Sequence, residues 1–183
     1  MRKWIALALA LMLLLPAFAL GEEVAGEIVI GIYEPASGPN GAGGKQETLG
    51  IYYANSVQPT VELSSGVYKI KLVEVDNQSS NDKAPTAAQT LVSEGSSIVL
   101  GSYGSGVSIA ASGIFDEAGV VAIAISATNP QVTIGNPLYY RICYLDPFQG
   151  TVLASYAMDE FAAKKAYTLA QLGNDYDVGL AHF

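Results

Sequence analysis

The segment at residues 101–106 (GSYGSG) carries the residue most suited to binding a small anion, Ser105. It lies where an apolar, helix-like stretch begins. A serine hydroxyl, the free amides of a first helical turn and the helix dipole together favour a carboxylate. The same serine could instead only cap its own helix, and the local sequence leaves both roles open.

A second polar segment, Ser126-Ala127-Thr128, follows an apolar stretch and offers two hydroxyls and exposed carbonyls. Its alternative role is an ordinary turn before Asn129 and Pro130. If both segments end strands of one parallel sheet, they lie at the same edge, where ligands bind in doubly wound folds. The sequence therefore predicts a small polar site there.

Signatures of catalysis and of metal or cofactor binding are absent from the sequence. The glycines of residues 101–106 do not match the dinucleotide fingerprint, no P-loop is present, and Ser105 lacks the frame of a nucleophile elbow. The only histidine is His182 and the only cysteine is Cys143, so a catalytic triad or metal site lacks partners. With nine Lys and Arg against a net charge of -8, the chain also lacks the basic face of a nucleic-acid binder. We therefore expect a binding protein with no cofactor, no metal and no catalytic residues.

Alternating strand and helix patterns must position these segments. Strands are predicted at residues 27–33, 67–75, 97–100 and 120–125, and helices at 46–57, 82–94 and 107–118, with Asp82 as N-cap of the second. Residues 34–44 are predicted as a loop, since glycine and proline are frequent there. Strands that are apolar on both faces predict an α/β fold with a doubly wound parallel sheet. The expected strand order is 2-1-3-4, which places the first and third strands beside the switch point.

The pattern changes after residue 129 and predicts a second region. Residues 139–144 are extended, 148–161 resemble a helix and 166–172 a strand. We expect a first α/β lobe at residues 27–140, then a crossover and the start of an incomplete second lobe at 141–183.

The first residues resemble a secretory signal peptide. Arg2 and Lys3 precede an apolar run at residues 5–15, which is shorter than a membrane span. Cleavage is predicted after Ala19, or alternatively after Gly21. No cysteine lies near this site for lipid attachment, so we expect a periplasmic protein that is not inserted in the membrane after cleavage.

Seven pieces of the sequence, in order, resemble the type I periplasmic binding proteins, in the branch of the leucine/isoleucine/valine-binding proteins. They are residues 28–31 with 35–39 (IVIG, PASGP), 43–47 with Gly50, 73–77 (VEVDN), 101–105 (GSYGS), 125–130 (ISATNP), Arg141 with Asp146, Gln149 and Gly150, and Asp175-Tyr176 with Gly179. The resemblance runs from about residue 27 to 181.

This resemblance implies two α/β lobes that close on one small solute, an amino acid or similar molecule, and pass it to the permease subunits of an ABC transporter. Ser105 and Thr128 would bind its carboxylate. The carbonyl of Ser126 and the hydroxyl of Thr128 would hold its ammonium, Ala127 would add backbone contacts, and Tyr176 would close over it.

The chain departs from the family at Gly43, where branched-chain amino acid binders can place a tyrosine. The sequence also lacks the pattern of the rest of the second lobe, which would supply an acidic partner for the ammonium. We therefore expect this chain alone to bind weakly or not at all. A ligand-binding sensor domain of a signalling receptor and a truncated non-functional fragment remain the alternatives.

Overall fold

The computed structural model describes residues 24–165 of the 183-residue chain. The predicted signal peptide at residues 1–19, the predicted strand at 166–172 and Tyr176 lie outside the described residues. The division into lobes at residue 140 stays a prediction.

In residues 24–165, six strands form one sheet in the order β2-β3-β1-β4-β5-β6. They are β1 (Val24–Ile32), β2 (Thr60–Leu63), β3 (Gly66–Glu74), β4 (Ile98–Leu100), β5 (Val121–Ala124) and β6 (Tyr139–Arg141). Every neighbouring pair is parallel except β2 and β3. Because the four predicted strands correspond to β1, β3, β4 and β5, the predicted doubly wound sheet and its 2-1-3-4 order are confirmed.

Within the described residues, four helices accompany the sheet: α1 (Gly41–Val57), α2 (Ala84–Ser93), α3 (Ser105–Glu117) and α4 (Asp146–Phe161). A short 3-10 turn at Pro130–Val132 follows β5. A Cβ placed on Gly31 of β1 would contact Leu91 of α2, so Gly31 faces α2. Its neighbour Ile30 faces the other side and lines a cavity with Ile51 of α1. Since successive side chains of a strand point to opposite faces, α1 and α2 lie on opposite faces of the sheet.

The core lies on the face covered by α2 and α3. Phe115 of α3 is buried and makes edge-to-face ring contacts with Tyr33, at 5.5 Å between centroids, and with Tyr139, at 6.4 Å. The Tyr33 hydroxyl donates to the carbonyls of Ala84 and Val107, at 3.1 and 3.4 Å, which joins the end of β1 to both helices. Burial raises the pKa of both tyrosines well above the usual range, so both remain neutral.

The face covered by α1 is more open. A cavity of about 540 Å³ lies between α1 and the sheet. Most of its lining is isoleucine and leucine from the sheet, from α1 and from the segment after β6: Ile30, Ile51, Ile70, Leu72, Leu100, Ile123, Ile125 and Ile142.

Three local predictions were wrong. The edge strand β2 was missed, and it forms an antiparallel hairpin with β3. Helix α1 begins at Gly41, inside the predicted loop. Gly44 allows this, because a Cβ on Gly44 would lie 2.3 Å from the carbonyl oxygen of Pro35, and its absence lets the first turn of α1 contact the chain after β1. Asp82 does not cap α2, since the capping residue is Lys83 and no side chain makes the capping bond.

Within residues 24–165, no helix is long and apolar enough to cross a membrane.

Candidate functional site

A polar cavity of about 240 Å³ lies beyond the carboxyl ends of the strands, at the switch point between β1 and β4. It is lined by Asn40, Ser79, Asn81, Gly104, Ser105, Gly106, Val107, Ile109, Thr128, Asn129 and Asp146. The residues come from the loops after β1, β3, β4 and β5 and from the start of α4. The parallel sheet thus brings five separate segments of the chain to one small volume at the edge where the sequence predicted a polar site.

Ser105 lies in this cavity as the first residue of α3. The capping residue is Gly104, and no side chain makes the capping bond, so the alternative in which Ser105 caps its own helix is wrong. Its Oγ instead accepts a hydrogen bond of 3.2 Å from the amide of Asn129. The first amides of a helix have no intrahelical acceptor. In α3 these amides belong to Ser105, Gly106 and Val107, which all line the cavity. A serine hydroxyl and a helix N-terminus therefore adjoin the same space and favour an anion there.

Thr128, in the loop after β5, lines the same cavity as Ser105. Its carbonyl accepts the amide of Asp146, at 3.1 Å, which attaches this loop to the start of α4. The Asp146 side chain is buried and its Oδ1 accepts a hydrogen bond of 3.3 Å from Gln149 Nε2. The cavity lining thus includes one acidic residue besides the serine and the helix N-terminus.

Arg141 of β6 fixes the loop that carries Thr128. Its Nη1 donates to the carbonyl of Ala127 at 2.9 Å, and its Nη2 to the carbonyl of Asn129 at 2.9 Å and to Thr133 Oγ1 at 3.1 Å. A guanidinium can serve several acceptors at once because its five donors are held in one plane. The loop is therefore held from the sheet side, without relying on a ligand.

Ser126 and Ala127, the other two predicted site residues of this loop, do not line the cavity. The Ser126 Oγ is buried without a hydrogen-bond partner in the described part of the chain. Ala127 is fully buried, and its carbonyl accepts both Arg141 and the Cys143 thiol, the latter at 3.4 Å. Of the predicted site residues, Ser105 and Thr128 line the cavity, whereas Ser126 and Ala127 do not. Tyr176 lies outside the described residues, so its role stays a prediction.

Five polar cavity residues were missed as site candidates: Asn40, Ser79, Asn81, Asn129 and Asp146. The Ser79 hydroxyl donates to the Ser37 carbonyl and accepts the Asn40 amide, both at 3.0 Å, so it joins the loops after β3 and β1. Ser79 and Asn81 could have been predicted from the topology, because the loop after the second predicted strand must reach the same edge of the sheet as Ser105. Asp146 entered the sequence analysis only through the family resemblance.

Asp76, directly after β3, organises the loop after β1. Its carboxylate accepts the amides of Ala36, Ser37 and Gln78 and the Ser37 hydroxyl, the last at 2.6 Å. Partial burial raises the pKa of Asp76, but these hydrogen bonds to the charged form outweigh it and hold the pKa below its usual range. The rim of the cavity is therefore held by an ionised carboxylate.

Tyr103 occupies the space beside Gly43 of α1. A Cβ on Gly43 would lie 2.4 Å from the Tyr103 ring. The space that a side chain at position 43 would need is thus filled by the Tyr103 ring, which comes from the loop after β4, two residues before Ser105.

Residues 24–165 hold no group of three or more His, Cys, Asp or Glu side chains that could bind a metal ion.

Comparison with known proteins agrees with this architecture. A family model described as periplasmic binding protein matches residues 27–181. An amino acid binding protein of Pseudomonas aeruginosa is 34% identical over 166 residues, which are 88% of this chain and 43% of that protein. A leucine binding protein of Thermotoga maritima has a similar structure, with a TM-score of 0.70 and 31% identity over 75% of this chain and 38% of that one. A branched-chain amino acid transporter substrate binding protein of Streptococcus pneumoniae, solved with isoleucine, gives a TM-score of 0.69 at 28% identity, over 75% of this chain and 40% of that one. The chain thus spans less than half the length of the relatives it matches.

Proposed function

Because this chain belongs to the periplasmic binding protein family, we propose that it provides the first lobe of an extracytoplasmic solute-binding protein. The solute is an amino acid or a similar small molecule with a carboxylate. A second lobe closes over it, and an ABC transporter permease receives it.

One observation carries this proposal: the hydroxyl of Ser105 and the first turn of α3 line the same 240 Å³ cavity as Thr128 and Asp146. The positive end of the α3 dipole, with its free amides, attracts a carboxylate. Asp146, an acceptor when ionised, lines the same cavity and suits an ammonium. Such a bipolar pocket matches the two charged groups of a free amino acid, and a cavity of this size leaves the rest of the solute to the second lobe.

Binding on one lobe alone is expected to be weak, because affinity in closing proteins depends on contacts made on both sides of the ligand. The test must therefore detect millimolar affinity. We expect the amides of Ser105, Gly106 and Thr128 to shift in two-dimensional NMR spectra when common amino acids are added to the 183-residue chain. Simple carboxylates and simple amines, added separately, would show which half of the solute each region binds.

Matched serine variants test the assignment of the carboxylate to Ser105. Ser105→Ala should weaken binding by about 5- to 150-fold, since a hydrogen bond to a charged group contributes ~1–3 kcal/mol. Ser97→Ala is the control, since Ser97 is exposed at the opposite end of β4. If no amino acid or carboxylate moves these amides at millimolar concentration, or if both variants bind alike, the proposed site is wrong.

A further inference from the structure

The loop at residues 101–104, which leads into Ser105, is held by buried polar side chains from four different segments. The contacts are Tyr139 Oη to the Gly101 carbonyl (2.8 Å), the Ser102 amide to Ser108 Oγ (3.2 Å), Asn77 Nδ2 to Ser102 Oγ (3.0 Å) and the Tyr103 amide to Glu34 Oε2 (2.8 Å). The four anchoring side chains are at most 4% exposed. The position of Ser105 is therefore set by groups that no solute touches.

Glu34 differs from the other three anchors because it can carry a charge. Its second oxygen, Oε1, is removed from solvent and accepts no hydrogen bond from the described residues. Oε2 of Glu47, on α1, is likewise removed from solvent and has no partner among the described residues while both carboxyls are ionised. Two ionised carboxylates at these positions repel each other, whereas a proton on one of them removes the repulsion and lets the two groups share a hydrogen bond.

The charged groups of the described residues that affect the pKa of Glu34 include Glu47 of α1 but no cation. Glu34 in turn raises the pKa of Tyr33 at the end of β1 and of Tyr139 of β6, and both tyrosines are neutral. Arg141 influences Tyr139 and, together with Glu47, the Cys143 thiol, but its guanidinium is hydrogen-bonded to the loop after β5.

We propose that Glu34 is a positioning residue for the solute site: in its protonated form it bridges Glu47 and the Tyr103 amide, and so holds the loop that carries Ser105. Ionisation of Glu34 would place a second negative charge beside Glu47 and displace residues 101–104. Binding of a carboxylate at Ser105 would then decline at alkaline pH. This last consequence rests on the proposed function, but the positioning role does not.

The balance of effects on Glu34 supports the protonated form at neutral pH. Burial, a hydrogen bond with Glu47 and the charge of Glu47 raise the pKa of Glu34 to about 10, against a smaller opposing effect of the Tyr103 amide. A glutamate in water ionises near pH ~4.3, so the Glu34 carboxyl stays neutral at a pH where a glutamate in water is ionised.

The direct test is carbon NMR of the 183-residue chain with its glutamate carboxyls labelled with ¹³C. We expect one carboxyl signal to keep the protonated position at neutral pH and to move only at alkaline pH. The amides of Tyr103 and Ser105 should move with the same midpoint. Glu34→Gln, which preserves a neutral group of the same size, should remove this signal and leave both amides unchanged through the alkaline range. Glu62→Gln, at an exposed position of β2, is the matched control and should change neither.

Two results would overturn the proposal. If every glutamate carboxyl titrates in the ordinary acidic range, near pH ~4–5, Glu34 holds no proton at neutral pH. If one carboxyl does titrate late but the two amides do not follow it, Glu34 is merely buried and positions nothing. The wild-type titration decides both points even if Glu34→Gln folds poorly, and it uses no solute, so a failure of the proposed binding function would not affect it.

Discussion

Replacing Arg141 by methionine should destabilise the fold measurably, because its guanidinium donates to two carbonyls of the loop after β5. Methionine keeps most of the aliphatic stem but removes every donor. The main loss is at the Ala127 carbonyl, which is fully buried and would retain only the Cys143 thiol at 3.4 Å. A lost hydrogen bond from a charged group costs about 1.5–3 kcal/mol. The Asn129 carbonyl still accepts the Val132 amide at 3.1 Å, so losing its hydrogen bond from Arg141 adds only about 0.5–1 kcal/mol.

The sum predicts that Arg141→Met lowers the free energy of unfolding by about 2–4 kcal/mol. Urea unfolding followed by far-ultraviolet circular dichroism would measure it. Arg141→Lys should recover part of the loss, because one ammonium can reach one carbonyl but not the fork of acceptors. Lys71→Met, at an exposed position of β3, is the control for removing a positive charge. If Arg141→Met costs no more than this control, the loop is held by its own turns and the reasoning is wrong.

Three further predictions concern α1, the site and pH. Gly44→Ala should destabilise the fold, since its methyl group would meet the Pro35 carbonyl at 2.3 Å, whereas Gly50→Ala in the same helix, with nothing within 4 Å, should stabilise it by about 0.5–1 kcal/mol; thermal unfolding of both variants checks this, and equal signs would contradict it. Ser105→Ala alone should leave the free energy of unfolding within about 1 kcal/mol of wild type, because it loses one partly buried hydrogen bond to a backbone amide. A larger loss of stability in urea unfolding would show that this serine is structural rather than a ligand group. The contribution of Glu34 to stability should be complete below pH ~4.5 and should fall as pH rises toward about 10, because the unfolded chain releases this proton first. Its slope is at most about 1.4 kcal/mol per pH unit, and Glu34→Gln should flatten the pH dependence measured by urea unfolding; parallel curves would refute this.

The strand order was predictable because each parallel strand carries its own local pattern. Residues apolar on both faces, such as those of β1 and β5, can only be buried between two layers. The predicted edge of the sheet then followed from the topology, and it brought Ser105 and Thr128 into one cavity. Asn81 and Ser79 could have been found by the same reasoning applied to the loop after β3.

The failures have tertiary causes that no local pattern contains. The glycines at the start of α1 indicate a loop by propensity, yet Gly44 is required there by the approach of Pro35. The edge strand β2 has four residues and makes its bonds only with β3, so its own sequence gives little signal. The Glu34 and Glu47 carboxyls are thirteen positions apart, and their pairing depends on how α1 docks against the end of β1.

The central place of β1 in the sheet determines the order in which the chain can fold. The first described strand pairs with β3, where Val24 lies opposite Val67, and with β4, where Ile30 lies opposite Ile98. Neither partner is a hairpin neighbour: β1 is separated along the chain by about forty residues from its partners on β3 and by about seventy from those on β4. Such non-local pairing is slow. The interior position of β1 therefore makes its folding depend on both flanking strands, β3 and β4, rather than on contacts with its neighbours in sequence.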